Sequence, residues 1–294
     1  MTHFRGRDFD FQFPRPAVIM GILNVTPDSF SDGGCFLHTE EAVRRGLEMA
    51  EQGAEILDLG AESTRPGFQE VPPEEEWRRL GPVLTELKRQ TKAVLSVDTR
   101  HLQTARLALE AGAHIINDVG LGRSYEEMFR LIADHGAGYV LMHSETVSPE
   151  EKDPVDIVNH FFGETLEQAE RSGVSPEQIV LDPGIGFGKT IKHNLLLISG
   201  LHRYKKWGRP VLLGASRKSF MKDLPGGAHQ SVKPSDPLSC DRTKVVEKKT
   251  LSNRLGGSLA AACFAVEHGA GILRVHDVQE TLQAVRLTEL LCNG

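Results

Sequence analysis

Eight short apolar runs, each leaving through a polar loop and followed by an amphipathic stretch, constrain this chain more than any other feature. The runs are Ala17–Val25, Glu55–Ala61, Ala93–Thr99, His114–Val119, Gly138–His143, Gln178–Asp182, Pro210–Ser216 and Gly271–Asp277. Their length and bounding Gly and Pro residues are those of buried strands. The stretches between them carry apolar residues at helical spacing, and most end in Gly or Gly-Ala: 40–54, 72–90, 102–113, 125–137, 155–173, 191–206, 250–270 and 280–291. Strand and helix in strict alternation predict a single-domain α/β (β/α)8 barrel, the TIM-barrel fold, over residues 1–294, with a doubly wound sheet as the alternative. A chain of 294 residues suits one such barrel, which takes roughly 250 residues.

Two segments stand outside the rhythm. Residues 1–16 alternate phenylalanines with charged or polar residues, as in an edge strand or hairpin closing one end of the fold, and lack the apolar centre of a secretion signal. Residues 222–249 are polar, rich in Pro, Gly and Lys, and longer than a barrel connection, which marks a flexible insertion in the seventh βα segment.

Barrels of this kind place their chemistry at the carboxyl ends of the strands, and here those ends are polar throughout. They carry Asn24, Asp58 with Glu62 to Arg65, Asp98, Asn117 with Asp118, Met142 with His143, Asp182, Ser216 to Lys218, and Arg274 to Asp277. One aspartate after a strand is commonly a helix cap, but eight polar ends on one rim describe a site. Asp98, Asn117, Asp182 and Lys218 offer the acceptors, carboxamide and cation that read a flat heterocycle with adjacent N–H donors and a carbonyl. Arg65, Arg274 and His276, with Asn24, form a second group suited to a diphosphate. Ser216 in GASRKSF stands at a helix start, where a carboxylate can sit. The run DPGIGFGK has glycines at 184, 186 and 188, which miss nucleotide-loop spacing and instead let backbone and the Phe187 ring approach a ligand. The first loop, in MGILNVTPDSFSDGG from Met20 to Gly34, joins a buried strand to a polar segment able to close over an anionic, metal-associated substrate.

Charge and cysteine content limit the partners. A net charge of −6 with no basic tail argues against nucleic acid or an anionic membrane as partner, so an anionic substrate must be drawn by local cations. The four cysteines lack metal-ligand spacing and read as reduced thiols in a cytoplasm. No apolar run approaches the roughly 20 residues of a membrane-spanning helix.

Read in order, NVTPDSFSDGG, ESTRPG, SVDT, INDV, LMH, DPGIGFGK, GASRKSF and RVHDV resemble the motifs of the dihydropteroate synthase family over nearly the whole chain. The resemblance implies a transferase of folate biosynthesis and a sulfonamide target. Its reaction condenses 6-hydroxymethyl-7,8-dihydropterin diphosphate with p-aminobenzoate, giving 7,8-dihydropteroate and pyrophosphate by an SN1-like displacement with Mg2+ assisting. It assigns Asp98, Asn117, Asp182, Lys218 and Met142 to the pterin, and Asn24, Arg65, Arg274 and His276 to the diphosphate, with Asn24 on the metal. Thr64, Pro66, Phe30, Phe187 and Ser216 fall to p-aminobenzoate, and Asp98, Lys218, Arg65 and Asp32 to catalysis. A homodimer is the expected assembly.

Three departures accompany the resemblance: SETVSPEEKDP follows His143 in place of a Met and a Gly-x-Pro turn, the insertion lengthens the seventh segment, and Ser258 stands where the family has Thr. Two alternative readings share the barrel: a binding-only relative without synthase activity, and a methyltransferase acting on a methyl-folate.

Overall fold

The computed structural model describes residues 1–25, 35–61, 71–120, 125–222 and 254–293. An antiparallel hairpin comes first, β1 (Thr2–Gly6) paired with β2 (Phe9–Phe13). The barrel strands follow: β3 (Val18–Asn24), β4 (Ile56–Gly60), β5 (Val94–Asp98), β6 (Ile115–Asp118), β7 (Gly138–Met142), β8 (Ile179–Asp182), β9 (Leu212–Leu213) and β10 (Ile272–Val275). The helices are α1 (Cys35–Glu51), α2 (Pro73–Gln90), α3 (Leu102–Glu110), α4 (Tyr125–His135), α5 (Pro154–Arg171), α6 (Ile191–Ser199), α7 (Leu255–Glu267) and α8 (Val278–Asn293). All eight barrel strands are parallel, in the order β8-β7-β6-β5-β4-β3-β10-β9. A single bridge, Leu181 to Val211, joins the two ends of that order and closes the barrel.

Side chains alternate along a strand, so every second residue faces the barrel axis. The lower inward layer is apolar: Val18, Met20, Ile56, Ile115, Val140, Val180, Leu212 and Ile272 form one buried cluster together with Phe4, Phe11 and Phe13 of the hairpin. The hairpin therefore plugs the amino end of the barrel, as the alternating phenylalanines predict. Its rings press directly on the first residue of β7, where a Cβ on Gly138 would lie 2.7 Å from Phe9 Cζ and 2.9 Å from Phe4 Cζ. The alternate strand residues, among them Leu23, Leu57, Leu59, Leu95, Val97, Ile116, Leu141 and Leu181, pack outward against the helices in a second, larger core.

The sequence marks several helix starts chemically. Pro73 at the first turn of α2 is followed by Glu74, Glu75 and Glu76, which suit the positive end of the helix dipole. Asp153 accepts from Val155 N at 3.0 Å before α5, and Thr190 accepts from His193 N at 3.1 Å before α6. Two expected elements are shorter than read. The helix expected over 191–206 stops at Ser199, because Gly200 ends it and a 3-10 segment, Leu201–Trp207, carries the chain to a left-handed Gly208. The strand expected over 210–216 keeps ladder bonds only at Leu212–Leu213, with Val211 bridging to Leu181. The insertion at 222–249 lies, apart from its first residue, outside the described residues, as do Phe30, Asp32, Thr64, Arg65 and Pro66.

Candidate active site

Toward the carboxyl end, the inward layer turns from apolar to polar strand by strand. Asp58 of β4 stands opposite Ser96 of β5 in register, and Asp98 opposite Asn117 of β6. Asp58 is fully buried and accepts three hydrogen bonds: from Ser96 Oγ at 2.6 Å, Asn117 Nδ2 at 3.0 Å and Arg274 Nε at 2.6 Å. The other end of the same guanidinium donates to Asp98 Oδ2 at 2.5 Å. Arg274 thus enters from β10 and forks across two carboxylates of neighbouring strands. Burial works against its charge, but Asp58 and then Asp98 more than offset it and hold the guanidinium firmly protonated.

The carboxylates respond to the same enclosure. Burial raises the Asp98 carboxyl to about 7, with Arg274 opposing and Asp58 adding to the rise. Asp182, at the end of β8, is likewise raised by burial, while Gly184 N, which donates to it at 2.7 Å, and Lys218 pull the other way. Lys218 is lowered to about 8 by burial and by Arg274, against the attraction of Asp182 and Asp98. Its ammonium lies 4.1 Å from the centre of the Phe187 ring, a cation–π contact. The lysine stem rests on the glycine loop, where a Cβ on Gly186 (φ +84°) would sit 3.0 Å from Lys218 Cδ.

Ser216 and His276, expected in different subsites, are hydrogen-bonded to each other. Ser216 Oγ lies 3.0 Å from His276 Nδ1 and accepts from His276 N at 3.2 Å. Burial, with Arg217 and Arg274 nearby, lowers His276 to about 3, so the ring is neutral near pH 7. Beside them Arg217 takes a left-handed φ of +56°. Its guanidinium forks onto Asp277, and its backbone N donates to Ser258 Oγ at 2.9 Å. Ser258 in turn donates to Arg254 O at 2.7 Å. The hydroxyl of Ser258 carries both bonds.

The structure brings Asp98, Asn117, Asp182, Lys218, Arg274, Phe187, Ser216 and His276 to one rim, as expected. Met142 ends β7, buried and in register with Asp182. Asn24 ends β3 with an exposed side chain, in register with Gly60. Among the described residues no group of three or more His, Cys, Asp or Glu could hold a metal ion. Among the described residues, the exposed Asn24 carboxamide is an oxygen ligand that suits a Mg2+ arriving on phosphate oxygens.

Several participants carried no role from sequence. Asp58 appeared only as one polar residue near a strand end, although an aspartate inside the apolar run EILDLGA must be paired to be buried there. Ser96, its donor, gave no separate signal. Asp118 accepts from Tyr139 Oη at 2.7 Å and from Gly120 N at 3.1 Å, and burial raises it to about 6. Glu76 of α2, buried, accepts from Thr99 Oγ1 at 2.8 Å and sits 3.1 Å from His101 Nδ1, fastening the turn that follows Asp98.

The description "pterin binding enzyme" belongs to the family whose model matches residues 20–276. Dihydropteroate synthase of Mycobacterium leprae is 39% identical over 279 residues, 92% of each chain. That of Escherichia coli K12 is 39% identical over 293 residues, 97% of this chain and 94% of the relative. The solved Xanthomonas albilineans dihydropteroate synthase with 4-aminobenzoic acid superposes with a TM-score of 0.82 at 39% identity, covering 97% of this chain and 96% of that one. The Yersinia pestis dihydropteroate synthase with a sulfonamide drug gives 0.83 at 34% identity, with both chains fully covered. With that agreement along the whole chain and a pocket of paired carboxylates, carboxamide and cations at the barrel mouth, the chain belongs to the dihydropteroate synthase family of pterin binding enzymes.

Proposed function

We propose that this chain condenses 6-hydroxymethyl-7,8-dihydropterin diphosphate with p-aminobenzoate, releasing pyrophosphate and forming 7,8-dihydropteroate. The observation that carries the reading is the Asp58–Arg274–Asp98 fork with Asn117 beside it and Asp182 and Lys218 on the same rim. A dihydropterin presents an amidine-like edge of N–H donors and one carbonyl. Carboxylates at Asp98 and Asp182 accept from that edge, the Asn117 amide supplements them, and Lys218 donates to the carbonyl oxygen.

The diphosphate extends from the pterin's methylene toward Asn24, Arg65, Arg274 and His276. His276, being neutral, contributes hydrogen bonding there rather than charge. The Asn24 carboxamide oxygen would hold a Mg2+, which when bound would supply charge neutralisation for the departing pyrophosphate. In an SN1-like course the C–O bond to diphosphate breaks first, and the electron-rich dihydropterin supports the positive methylene carbon beside the Asp98 and Asp182 carboxylates. The neutral arylamine nitrogen then forms the C–N bond and loses a proton. Thr64, Pro66, Phe30, Phe187 and Ser216 hold p-aminobenzoate, with Asp32 and Arg65 completing the site. A sulfonamide that mimics p-aminobenzoate competes there.

We also propose a homodimer working in the cytoplasm. The adjacent helices α6 and α7 each expose a large apolar side chain, Leu195 and Phe264, and a self-complementary contact through that face would cover both. No described helix is long and apolar enough to cross a membrane.

The test is pyrophosphate release from the protein with the dihydropterin diphosphate, p-aminobenzoate and Mg2+, omitting each in turn. Release that depends on all three, with dihydropteroate as product, is expected. Pterin diphosphate bound by the folded barrel without release would overturn the synthase reading in favour of a binding-only relative.

A further inference from the structure

The end of DPGIGFGK holds a lysine with no part in the chemistry above. Lys189 is half-buried, and its ammonium donates to two backbone carbonyls, Phe187 O at 2.9 Å and His143 O at 3.0 Å. Those carbonyls belong to different loops, one leaving β7 and the other leaving β8. The loops are interlocked around it. Gly184 passes so close to His143 that a Cβ would lie 1.9 Å from its carbonyl oxygen, and Val147 N donates to Gly188 O at 3.0 Å. A Cβ on Gly188 would meet Thr146 Oγ1 at 2.7 Å. Gly184, Gly186 and Gly188 all have positive φ, of +70°, +84° and +57°, so the intervening backbone follows a path open mainly to glycine.

Withdrawing an ammonium from water to satisfy two carbonyls is costly, and a neutral donor or an exposed lysine would avoid that cost. What the lysine secures is the place of Phe187. The Phe187 backbone is tied to the β7 loop through Lys189, and its ring lies against Lys218. We propose that Lys189 is a positioning residue for the arylamine half of the site, fixing the Phe187 ring over Lys218 by binding the Phe187 and His143 carbonyls together. The proposal rests on the reading that Phe187 lines the p-aminobenzoate site. Asp182, Lys218 and Glu145 are the charged groups nearest the ammonium, so the competing account is an effect on Asp182 and through it on the pterin.

The experiment compares Lys189→Met, Phe187→Ala and the double variant in steady-state turnover, in calorimetric binding of the pterin diphosphate, and in thermal unfolding. Lys189→Met is expected to raise KM for p-aminobenzoate about tenfold while kcat changes less than about twofold, the change expected when binding is lost without loss of chemistry. Pterin diphosphate affinity stays at the parent value, and Tm falls by no more than a few degrees, since two carbonyls lose their shared donor. Phe187→Ala raises the same KM, and adding Lys189→Met to it gives no further rise, because both act through one ring. An unchanged KM in Phe187→Ala sinks the arylamine reading and the proposal with it. A raised KM in Phe187→Ala with a silent Lys189→Met sinks the proposal alone, as does weaker pterin binding or an additive double variant. Should Lys189→Met not fold, Lys189→Ala, which removes the donor and leaves room for water at the two carbonyls, carries the same comparison.

Discussion

Asp58→Asn tests how the barrel mouth holds its charge. The substitution keeps the shape but leaves one oxygen, which can serve Ser96 in place of Oδ1 or Asn117 and Arg274 in place of Oδ2 and not both, and it removes the negative charge that receives Arg274 Nε at 2.6 Å. Breaking a buried ion pair outright costs about 3–5 kcal/mol. Here Arg274 retains Asp98 as its second partner, so the loss falls to about half, roughly 1.5–2.5 kcal/mol. At about 2 °C per kcal/mol for a chain of this size, Tm should drop by roughly 3–5 °C near pH 8, where Asp98 is ionised. A second effect has a defined sign. The Asp58 charge raises Asp98, so its removal lets Asp98 ionise at lower pH, and the acid limb of pterin binding moves down from about 7 toward ordinary carboxylate values. Differential scanning calorimetry at pH 8 and calorimetric pterin titrations from pH 5 to pH 9 measure the two effects. A Tm within about 1 °C of the parent together with an unmoved acid limb would refute the account of Arg274 as a fork shared by two carboxylates.

Three further outcomes follow from the geometry. Pterin diphosphate affinity should be bell-shaped in pH, falling as Asp98 gains its proton below about 7 and as Lys218 loses its own above about 8, and a flat profile across both would contradict those roles. Gly184→Ala should lower Tm by more than about 5 °C or prevent folding, since its Cβ would meet the His143 carbonyl oxygen at 1.9 Å, whereas Gly186→Ala, facing the flexible Lys218 stem at 3.0 Å, should cost far less in unfolding measurements. Tyr139→Phe strips Asp118 of its phenol donor at a cost of about 1–3 kcal/mol. Asp118 is already raised to about 6, so its contribution to stability is present at low pH and lost as pH rises through that value. The deficit of the variant should therefore be larger at pH 8 than at pH 5 in denaturant titrations.

The alternation of apolar runs and amphipathic stretches specifies the barrel because each strand needs only a short buried run and each helix only one apolar face. Polar strand ends then point to the rim, and Asp98, Asn117, Asp182, Lys218, Arg274 and His276 meet there. Pairing is what the chain's order does not display. Nothing near Arg274 in sequence marks Asp58 as its partner, 216 residues away, or separates Ser216 and His276, read into two subsites, from the single hydrogen-bonded unit they form. Asp58 was legible in principle, since a charge inside an apolar run predicts a buried partner, but the partner's identity depends on strand order around the closed sheet. The seventh strand is shorter than VLLGA, an uninterrupted apolar run, predicts, because the ladder needs backbone partners and finds them only at Leu212 and Leu213 beyond the bridge at Val211. The helix expected to reach 206 breaks at Gly200, whose role as a stop is clear only beside the 3-10 turn it introduces.

The phenylalanine plug separates two kinds of selection. Phe4, Phe11 and Phe13 pack with the lowest inward layer, at the opposite end of the strands from Asp98 and Asp182. Substitutions that reshape a site at the rim commonly cost stability, and that loss must be recovered without altering the site. Packing changes around the hairpin offer such a reserve, because they tighten the strands from below and leave the arrangement of the mouth intact. Changes that restore stability can thus gather at the amino end of the barrel, far from every residue of the mouth.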